Sequence, residues 1–269
     1  MYDYHNHTDW SPDGSAFIDD MIQAAIAKGI REFAITDHED PESHDLNFVD
    51  LDFDLYLKML NEAADRWNRP DSPIRIIRGI ELGLRVGSVN RKCKEIATTY
   101  KFDFILGAVH GACGYDIDQM GYLSKRTPEQ AISDYYETML YCLDDYDDFD
   151  SFAHINNVDR YIPLDTPDSL SAGYIEAALK KLVDMGKGIE VNTSSYRKGM
   201  GTRTTPTLST LKLFRSLGGE IVTIGSDAHQ VDDVGSGLRE GIELIKAAGF
   251  SAITTFHERK PTFVDIDTI

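Results

Sequence analysis

Nine histidine, aspartate and glutamate side chains stand at the ends of apolar runs along this chain, or in the loops that follow them. They are His5, His7, Asp13, His38, Glu81, His110, His154, Asp227 and His229. Six of the eight histidines belong to this set. Histidines that served only to form hydrogen bonds in the core would have no reason to favour the ends of strands, so their position indicates a shared function. Six imidazoles and three carboxylates are too many for one ion and suit two or three divalent transition-metal ions, such as zinc, iron or manganese.

The spacing of these residues gives the chemistry a geometric basis. Residues two apart on a strand point to the same side, so His5 and His7 can direct two imidazoles to one point. Asp227 and His229 repeat this spacing. An isolated His-x-His is as often a pair of exposed polar side chains, and only the whole set favours metal binding. A carboxylate can bridge two ions, and Glu81 is the natural bridge. Water that bridges two such ions ionises near neutral pH, which would make it the nucleophile of a hydrolase.

Seven short apolar runs are predicted to be strands. They are Tyr2–His5, Glu32–Thr36, Ile74–Ile80, Phe102–Val109, Asp150–Ala153, Gly188–Val191 and Glu220–Ile224. Amphipathic stretches of helical length lie between most of them, and such alternation predicts right-handed crossovers and a parallel sheet. With no linker or composition break, this pattern predicts one α/β domain over residues 1–269, built as a closed or nearly closed β/α barrel. The active sites of such barrels form at the C-terminal ends of the strands, where the candidate ligands stand.

The predicted helices have recognisable starts and ends. Thr127 and Gln130 predict a capping box for a helix over residues 127–146. A second Thr-Pro pair, Thr205-Pro206, predicts another helix start. Several helices are predicted to end at a glycine, because a helix C-terminus often needs a left-handed residue. These glycines are Gly29, Gly186, Gly218 and Gly249.

Composition excludes several kinds of partner. The formal net charge is −18, whereas nucleic acid and anionic membranes bind proteins through a positive field. No run of about 18 apolar residues predicts a transmembrane span, and the N-terminus has no signal-peptide pattern, so the protein is expected in the cytoplasm. Three scattered cysteines, Cys93, Cys113 and Cys142, indicate reduced thiols rather than disulfides or a zinc site. The sequence gives no indication of oligomeric state.

Two arginines follow strands on the same predicted face of the barrel. Arg160 follows the fifth strand, and Arg197 follows the sixth, which carries no candidate ligand. A planar guanidinium can hold two phosphate oxygens at once, so both are expected to bind a small phosphorylated substrate, although each could instead form a surface salt bridge. Lys198 and Arg203 are weaker candidates.

Seven short segments contain the candidate ligands. They are His5-Asn6-His7, Ser11-Pro12-Asp13-Gly14, Thr36-Asp37-His38, Gly79-Ile80-Glu81, Val109-His110, Ala153-His154 and Gly225-Ser226-Asp227-Ala228-His229. Together they resemble the successive motifs of the PHP (polymerase and histidinol phosphatase) family, over nearly the whole chain. Within that family, the chain length and the segments Asn192-Thr193-Ser194 and Arg259-Lys260-Pro261 are most similar to the histidinol-phosphate phosphatases.

This resemblance implies a distorted seven-stranded (β/α)7 barrel with a trinuclear metal centre. One ion would take His5, His7, Glu81 and Asp227, a second would take Glu81, His110 and His154, and a third would take Asp13, His38 and His229. Asp13 stands where some relatives have a histidine. The resemblance also implies an activity: L-histidinol phosphate would be hydrolysed to L-histidinol and phosphate, a step of histidine biosynthesis.

The expected mechanism follows from these assignments. Arg160, Arg197 and the third ion would bind the phosphate, and the hydroxide that bridges the ions at Glu81 would attack it in line. Asp227 or His229 would then pass a proton to the leaving alkoxide.

Three other interpretations compete with this one. The first is a PHP phosphoesterase that acts on another small phosphate or on nucleotide or oligonucleotide ends. An enzyme for nucleotide or oligonucleotide ends would favour a basic, aromatic-lined groove. A binding domain that has lost catalysis would not need the full ligand set. An amidohydrolase-like carbon–nitrogen hydrolase usually carries a bridging lysine late in a strand, and no predicted strand end supplies one.

Asp116 and Asp118 are candidates to meet the amine of histidinol, and His44 and His257 are expected to be exposed.

Overall fold

The computed structural model describes residues 1–43, 48–200 and 204–269. The strands are β1 (Tyr2–Asp3), β2 (Glu32–Ile35), β3 (His38–Glu39), β4 (Arg75–Gly83), β5 (Phe104–Ala108), β6 (Gly111–Ala112), β7 (Tyr115–Asp116), β8 (Ser151–Phe152), β9 (Gly188–Asn192), β10 (Val222–Gly225), β11 (Ala252–His257) and β12 (Lys260–Asp265). The α-helices are α1 (Ile18–Ala27), α2 (Phe53–Trp67), α3 (Ser88–Thr99), α4 (Met120–Leu123), α5 (Pro128–Asp145), α6 (Ala172–Asp184), α7 (Leu208–Ser216) and α8 (Leu238–Ala247).

The main sheet is a nearly closed parallel barrel. Its strands follow the order β1, β2, β4, β5, β8, β9, β10, every neighbouring pair is parallel, and the short β3 adds to β4. The first and last strands meet through hydrogen bonds from Tyr4 N to Ile224 O (2.9 Å) and from Asp227 N to His5 O (2.8 Å). These seven strands are the seven predicted from the sequence, and the distorted α/β barrel is confirmed.

Aromatic side chains fill the end of the barrel where the strands begin. The Tyr4 and Phe104 rings pack edge to face at a centroid distance of 5.2 Å, and Phe256 of the β11–β12 hairpin lies 5.1 Å from Phe104. Phe256 N also donates to the Tyr4 hydroxyl (3.0 Å). All three rings are buried, so the hairpin closes the floor of the barrel. This hairpin was not predicted from the sequence.

Helix α5 begins as predicted. Thr127 Oγ1 accepts a hydrogen bond from Gln130 N (3.3 Å), and Gln130 Oε1 accepts one from Thr127 N (3.0 Å), which completes the capping box. The four predicted C-terminal glycines, Gly29, Gly186, Gly218 and Gly249, all have positive φ after their helices. These ends are set by local sequence, and the sequence predicts them correctly.

The predicted helix start at Thr205-Pro206 is wrong. Helix α7 begins at Leu208, and Thr207 is its N-cap. Thr205 instead forms an antiparallel bridge with Asn192 at the end of β9, where Asn192 N donates to Thr205 O (2.7 Å). A tertiary contact therefore holds this segment at the end of the barrel where the strands terminate.

Several smaller expectations are also met. The three cysteines are free, and Cys93 and Cys142 are buried whereas Cys113 is exposed. His257 is exposed. In the part of the chain that the structure describes, no helix combines the length and the apolar character needed to cross a membrane.

Candidate metal centre

All nine predicted ligands meet at the end of the barrel where the strands terminate. His5 and His7 follow β1, Asp13 lies in the loop before α1, His38 is in β3, Glu81 is in β4, His110 follows β5, His154 follows β8, and Asp227 and His229 follow β10. Most of these side chains are buried or nearly so, but Asp13 is 59% exposed. The barrel topology therefore collects residues that are far apart in sequence into one cluster.

Glu81 is the centre of this cluster, and its side chain is completely buried. Its Oε1 lies 2.9 Å from His154 Nε2 and 3.4 Å from His110 Nε2. Its Oε2 lies 3.0 Å from His38 Nδ1 and 3.3 Å from His5 Nε2. The two oxygens face two separate groups of imidazoles, which is the arrangement that a carboxylate needs in order to bridge two cations.

A second group of ligands surrounds Asp227 Oδ1. This oxygen lies 3.5 Å from His7 Nε2 and 3.8 Å from His5 Nε2. His229 is 3.6 Å from the same oxygen through Nδ1 and 3.1 Å from Asp13 Oδ2 through Nε2. The His7 and His229 rings stack at a centroid distance of 4.1 Å. Asp13 and His229 thus form the outer rim of the cluster.

Several polar atoms at the centre of the cluster lack a partner. The buried atoms of the described residues that make no hydrogen bond of acceptable geometry include four of this cluster: His5 Nε2, His7 Nε2, His38 Nδ1 and Glu81 Oε2. An unsatisfied buried polar atom costs about 1–3 kcal/mol in a folded protein. Because all these atoms are of types that ligate transition metals, divalent cations fit as their missing partners.

The carboxylates and imidazoles of the cluster shift one another's pKa values. Burial alone would raise the pKa of Glu81, but the His5 and His110 imidazoles hold that pKa well below its ordinary value. Burial likewise opposes ionisation of Asp227, and His5 holds the pKa of that carboxyl well below its usual range. Burial lowers the pKa of His7 well below that of a free imidazole. Burial would also lower the pKa of His5 and His38, but Glu190 and Glu81 respectively outweigh it and raise the pKa of both imidazoles well above that of a free one. Metal binding requires ionised carboxylates and neutral imidazoles, so His5 and His38 would release a proton when they bind a metal.

Asp40 is a further carboxylate at the site, and it was not predicted. Its Oδ1 accepts a hydrogen bond from His110 Nδ1 (2.8 Å), and its Oδ2 lies 3.4 Å from His38 Nδ1. Gly83 leaves room for the Asp40 side chain, because a Cβ at position 83 would overlap the Asp40 carboxylate. The hydrogen bond to Nδ1 fixes the His110 imidazole so that its Nε2 faces the cluster. The position of Asp40 two residues after His38 was the available signal in the sequence.

A hydroxyl and a carboxylate orient His7. Ser11 Oγ lies 3.1 Å from His7 Nδ1 and donates to Asp37 Oδ1 (2.7 Å). Asp37 is itself fixed by Thr8, whose hydroxyl donates to Oδ2 (2.9 Å) and whose backbone N donates to Oδ1 (2.6 Å). With Nδ1 engaged in this way, Nε2 of His7 is directed towards the cluster. Ser11 and Asp37 lie in the motif segments, but the sequence alone assigned them no role.

His154 and Asp227 have left-handed backbone conformations, with φ of 27° and 54°. Residues other than glycine rarely adopt such conformations, which cost of the order of 1–3 kcal/mol and persist where surrounding contacts impose them. Here the contacts are hydrogen bonds from His154 N to Glu190 Oε2 (3.0 Å) and from Asp227 N to His5 O (2.8 Å). The strained turns direct both side chains into the cluster.

The cluster opens into a cavity of ≈ 180 Å³. Arg160 and Lys198 bring positive charge to its wall, and Asp116 and Asp118 contribute carboxylates. His44 lies outside the described residues, as does Arg203. The cavity therefore combines the candidate metal ligands with both cationic and anionic side chains.

The two predicted phosphate-binding arginines are placed differently. Arg160 lines the cavity, and its Nη2 lies 3.2 Å from Asp227 Oδ2. Arg197 is not among the described residues that line the cavity, and its guanidinium donates to the backbone carbonyls of Ser226 (2.8 Å) and Asp227 (3.1 Å). Arg197 thus supports the loop that carries Asp227, and its direct contact with phosphate stays a prediction.

Comparison with known proteins identifies the family. Residues 3–194, which are more than half of the chain, match the model of the PHP domain. The chain belongs to the PHP family. The resemblance inferred from the sequence motifs is therefore confirmed, and the cluster lies in the barrel of a PHP protein.

Several relatives of this PHP protein match it over nearly its full length. It is 27% identical to a probable histidinol-phosphatase from Clostridium acetobutylicum, over 97% of this chain and 98% of the relative. It is 26% identical to the histidinol-phosphatase of Lactococcus lactis, over 96% of this chain and 95% of the relative. The crystal structure of L. lactis histidinol phosphate phosphatase, complexed with zinc, L-histidinol and phosphate, matches with a TM-score of 0.87 and 25% identity, over 97% of this chain and 98% of that one.

Proposed function

We propose that this PHP protein is a metal-dependent phosphomonoesterase that hydrolyses L-histidinol phosphate to L-histidinol and phosphate. The observation that carries the proposal is the likeness, over 97% of the chain, to a histidinol phosphate phosphatase solved with zinc, L-histidinol and phosphate. The buried cluster of imidazoles and carboxylates beside a cationic cavity wall supports the same reaction. Histidinol-phosphatases that match over their full length add to this support.

The metal ligands are proposed in three groups. His5, His7, Glu81 and Asp227 would hold one divalent ion, Glu81, His110 and His154 a second, and Asp13, His38 and His229 a third. Glu81 would bridge the first two ions through its two oxygens. Zinc, iron and manganese all accept this set of nitrogen and oxygen ligands. Bound ions would supply an ionised water as the nucleophile and would neutralise charge on the phosphate.

Arg160 would hold the phosphate. It lines the cavity, and its Nε is buried and makes no hydrogen bond within the described ranges. A guanidinium can present two N–H groups to two phosphate oxygens. Lys198, whose Nζ lies 3.9 Å from Asp227 Oδ2, would add positive charge. Arg197 would act from behind Asp227, and a direct contact with phosphate would require it to leave the backbone carbonyls that it now holds.

Asp227 and His229 are the proposed proton-transfer residues. Asp227 Oδ2 accepts hydrogen bonds from Arg160 (3.2 Å) and Ser194 (3.1 Å), which favour its ionised form. Asp227 would therefore be able to take up the proton that the nucleophilic water releases when it ionises, before the attack. It would then pass this proton to the leaving alkoxide, directly or through His229, and the alcohol would leave neutral.

The rest of the cavity suits a small cationic alcohol. Asp116 and Asp118 both line it, and Asp116 is paired with Arg85. Asp118 is the more exposed of the two carboxylates, so we assign it to the ammonium group of histidinol. Phe48 and Tyr161 also line the cavity and can pack against the imidazole ring of the substrate. The Asp118 carboxylate would thus bind the cationic amine of such a substrate, whereas a sugar phosphate has no amine for it to bind.

Phosphate release from a panel of substrates tests this function. The protein loaded with zinc or manganese should hydrolyse L-histidinol phosphate with kcat/KM about tenfold or more above that for glucose 6-phosphate or a nucleoside monophosphate. Equal rates across the panel would favour a general phosphoesterase, and a preference for nucleotides would favour the oligonucleotide alternative. No phosphate release with either metal would reject the proposed phosphatase activity.

Residues 1–269 are also proposed to form one domain. One hydrophobic cluster contains buried residues from Ala16 to Ile266, which joins both ends of the chain in the same core. Such a domain should unfold in one transition, with tryptophan fluorescence and far-UV circular dichroism changing together. Two separated transitions in the metal-loaded protein would indicate two units.

A further inference from the structure

Strand β9 carries no proposed metal ligand, but its residue Glu190 contacts residues that are proposed metal ligands. Glu190 is 1% exposed. Its Oε1 lies 2.6 Å from His5 Nδ1, and its Oε2 accepts from His154 N (3.0 Å). Oε2 also accepts from Asn192 Nδ2 (3.2 Å), which donates in turn to Asp227 Oδ2 (3.2 Å). One buried carboxylate is thus connected to ligands of both ions that Glu81 would bridge.

We propose that Glu190 is a positioning residue of the metal centre. Its carboxylate fixes the ring of His5 and the backbone of His154 at the same time, and it thereby sets the spacing of the two ions that share Glu81. This inference rests on the metal-dependent function proposed above and deepens it.

The contact with His5 selects the nitrogen that faces the metals. An ionised carboxylate only accepts hydrogen bonds, so the Nδ1 atom of His5 is the donor in this contact and Nε2 is the nitrogen left to bind a metal ion with its lone pair. That Nε2 atom lies 3.3 Å from Glu81 Oε2 and makes no hydrogen bond with any described residue. Without Glu190, the ring could adopt the other tautomer or rotate, and the lone pair would leave the cluster.

The contact with His154 fixes a strained turn. His154 has φ of 27°, and its N–H donates to Glu190 Oε2. The same turn directs Nε2 of His154 to Glu81 Oε1 at 2.9 Å. Because a non-glycine residue keeps such a conformation only where contacts impose it, loss of the Glu190 oxygen would release both the turn and the imidazole.

The neighbouring strand leaves space for this arrangement. Gly225 of β10 is in register with Asn192 of β9. A Cβ at Gly225 would overlap the Cβ of His5 and would come within 2.7 Å of Glu190 Oε1. The layer therefore accommodates the His5–Glu190 pair only because the residue beside it has no side chain.

Metal binding by Glu190→Gln tests the proposal. The amide has one acceptor oxygen, so it can satisfy His5 or His154 but directs an NH₂ group at the other. We expect affinity for at least one ion to fall about 10- to 100-fold. The loss would be measured as metal content by mass spectrometry after dialysis against a dilute chelator, and as a changed visible spectrum of the cobalt-substituted protein.

Thr223→Val is the matched control. Thr223 is in register with Glu190, and its buried hydroxyl bonds to Ser151 Oγ (2.8 Å). The control disturbs the same layer of the barrel without touching a proposed ligand, so its stability should fall while its metal content stays that of the wild type. Equal metal loss in Thr223→Val and Glu190→Gln would reject a specific role for Glu190.

Wild-type metal affinity and spectrum in Glu190→Gln would overturn the proposal. If that variant does not fold, Glu190→Asp decides, because its carboxylate keeps the charge but is too short to reach both donors. The Glu190→Asp variant should bind the ions with reduced affinity. Unchanged affinity in this variant would also reject the proposal. These measurements need no substrate, so a wild-type protein that binds metal but does not hydrolyse histidinol phosphate would reject only the proposed function.

Discussion

Asp227 faces two kinds of partner with its two oxygens. Oδ1 lies 3.5 Å from His7 Nε2, inside the cluster of candidate ligands. Oδ2 lies 3.2 Å from the Arg160 guanidinium and 3.1 Å from Ser194 Oγ, at the cavity. A single carboxylate therefore couples the position of a metal ion to the position of the arginine that would hold the phosphate.

Replacement of Arg160 should weaken substrate binding without removing metal. Arg160→Ala is expected to raise KM for L-histidinol phosphate about 10- to 100-fold, since a hydrogen bond to a charged group contributes about 1.5–3 kcal/mol. Arg160→Lys should recover only part of this loss, because an ammonium cannot hold two oxygens in a fixed plane. Steady-state kinetics and metal analysis of both variants check the prediction, and an unchanged KM would remove Arg160 from the phosphate site.

Replacement of Asp40 should act on the metal and not on the substrate. In Asp40→Ala, His110 Nδ1 loses its acceptor, which lies at 2.8 Å in the wild type, and the imidazole is no longer fixed towards Glu81. We expect roughly tenfold weaker binding of one ion, measured by competition with a chromophoric chelator. Asp40→Asn is the control, because its amide oxygen can still accept from His110, and it should lose less affinity. Equal losses would show that the charge of Asp40 matters and not its hydrogen bond.

The candidate ligands, which the fold brings together, could be selected from the sequence, but the residues that hold them in place could not. His5, His110 and their companions stand where apolar runs end, and a barrel brings all strand ends together whatever its details. Glu190 stands between Ile189 and Val191 inside a strand, so its neighbours indicate only a buried position. Its contact with His5 depends on how closely β9 and β1 approach across the closed barrel, which no local pattern encodes.

Three elements meet at Asp103, on the floor side of the barrel. Its Oδ2 accepts from Arg78 Nε of β4 (2.8 Å), and its Oδ1 accepts from Glu258 N in the β11–β12 turn (3.1 Å). Asp103 itself directly precedes β5. The side chain therefore ties the hairpin that closes the floor to two neighbouring strands.

The stability supplied by this contact should depend on pH. Burial opposes ionisation of Asp103, but hydrogen bonds from Arg78 outweigh it and lower the pKa of that carboxyl. A depressed folded-state pKa contributes stability that is present above the unfolded value, about 3.9, and is lost as pH falls through the folded value. Arg78→Gln should therefore reduce the free energy of unfolding by about 1–3 kcal/mol at neutral pH.

Urea unfolding of wild type and Arg78→Gln over a range of pH measures this difference. The difference should be constant in the neutral range and should shrink below about pH 4 as Asp103 becomes protonated in both proteins. A difference that stayed the same at low pH would show that Arg78 stabilises the floor through packing and not through its charge.

Elements that depend on local sequence were predicted better than those that depend on distant contacts. Helix α5 has its capping box within four residues, and the sequence places it correctly. The start of α7 was placed two residues early, because the bridge between Thr205 and Asn192 has no local signal. Strand β12 is almost wholly exposed, so it lacks the apolar alternation by which a strand is recognised.

At the scale of the whole molecule, the metal centre joins strands from all sides of the barrel. The formal charge of −18 includes buried carboxylates that divalent ions would neutralise. Ions bound only to the folded state add stability, by about 2.7 kcal/mol at a concentration 100 times Kd. The centre should therefore stabilise the barrel as well as provide its chemistry.

Removal of metal should lower the melting temperature. A chelator is expected to reduce Tm by several degrees, at roughly 2–4 °C for each kcal/mol in a chain of this size, and added zinc should restore it. Glu81→Gln, which removes the proposed bridging ligand, should show a much smaller change with chelator. Differential scanning fluorimetry measures both proteins, and equal melting temperatures with and without chelator in the wild type would argue against a resident metal.

The closing of the first strand against the last has a consequence for biosynthesis. His5 leaves the ribosome before Asp227 and His229, which lie across the barrel seam from it, and Phe256 of the floor follows later still. A polypeptide still under translation holds some imidazoles but lacks the groups that complete their coordination. The proposed ligand set can therefore be completed only after residues 227–229 have left the ribosome.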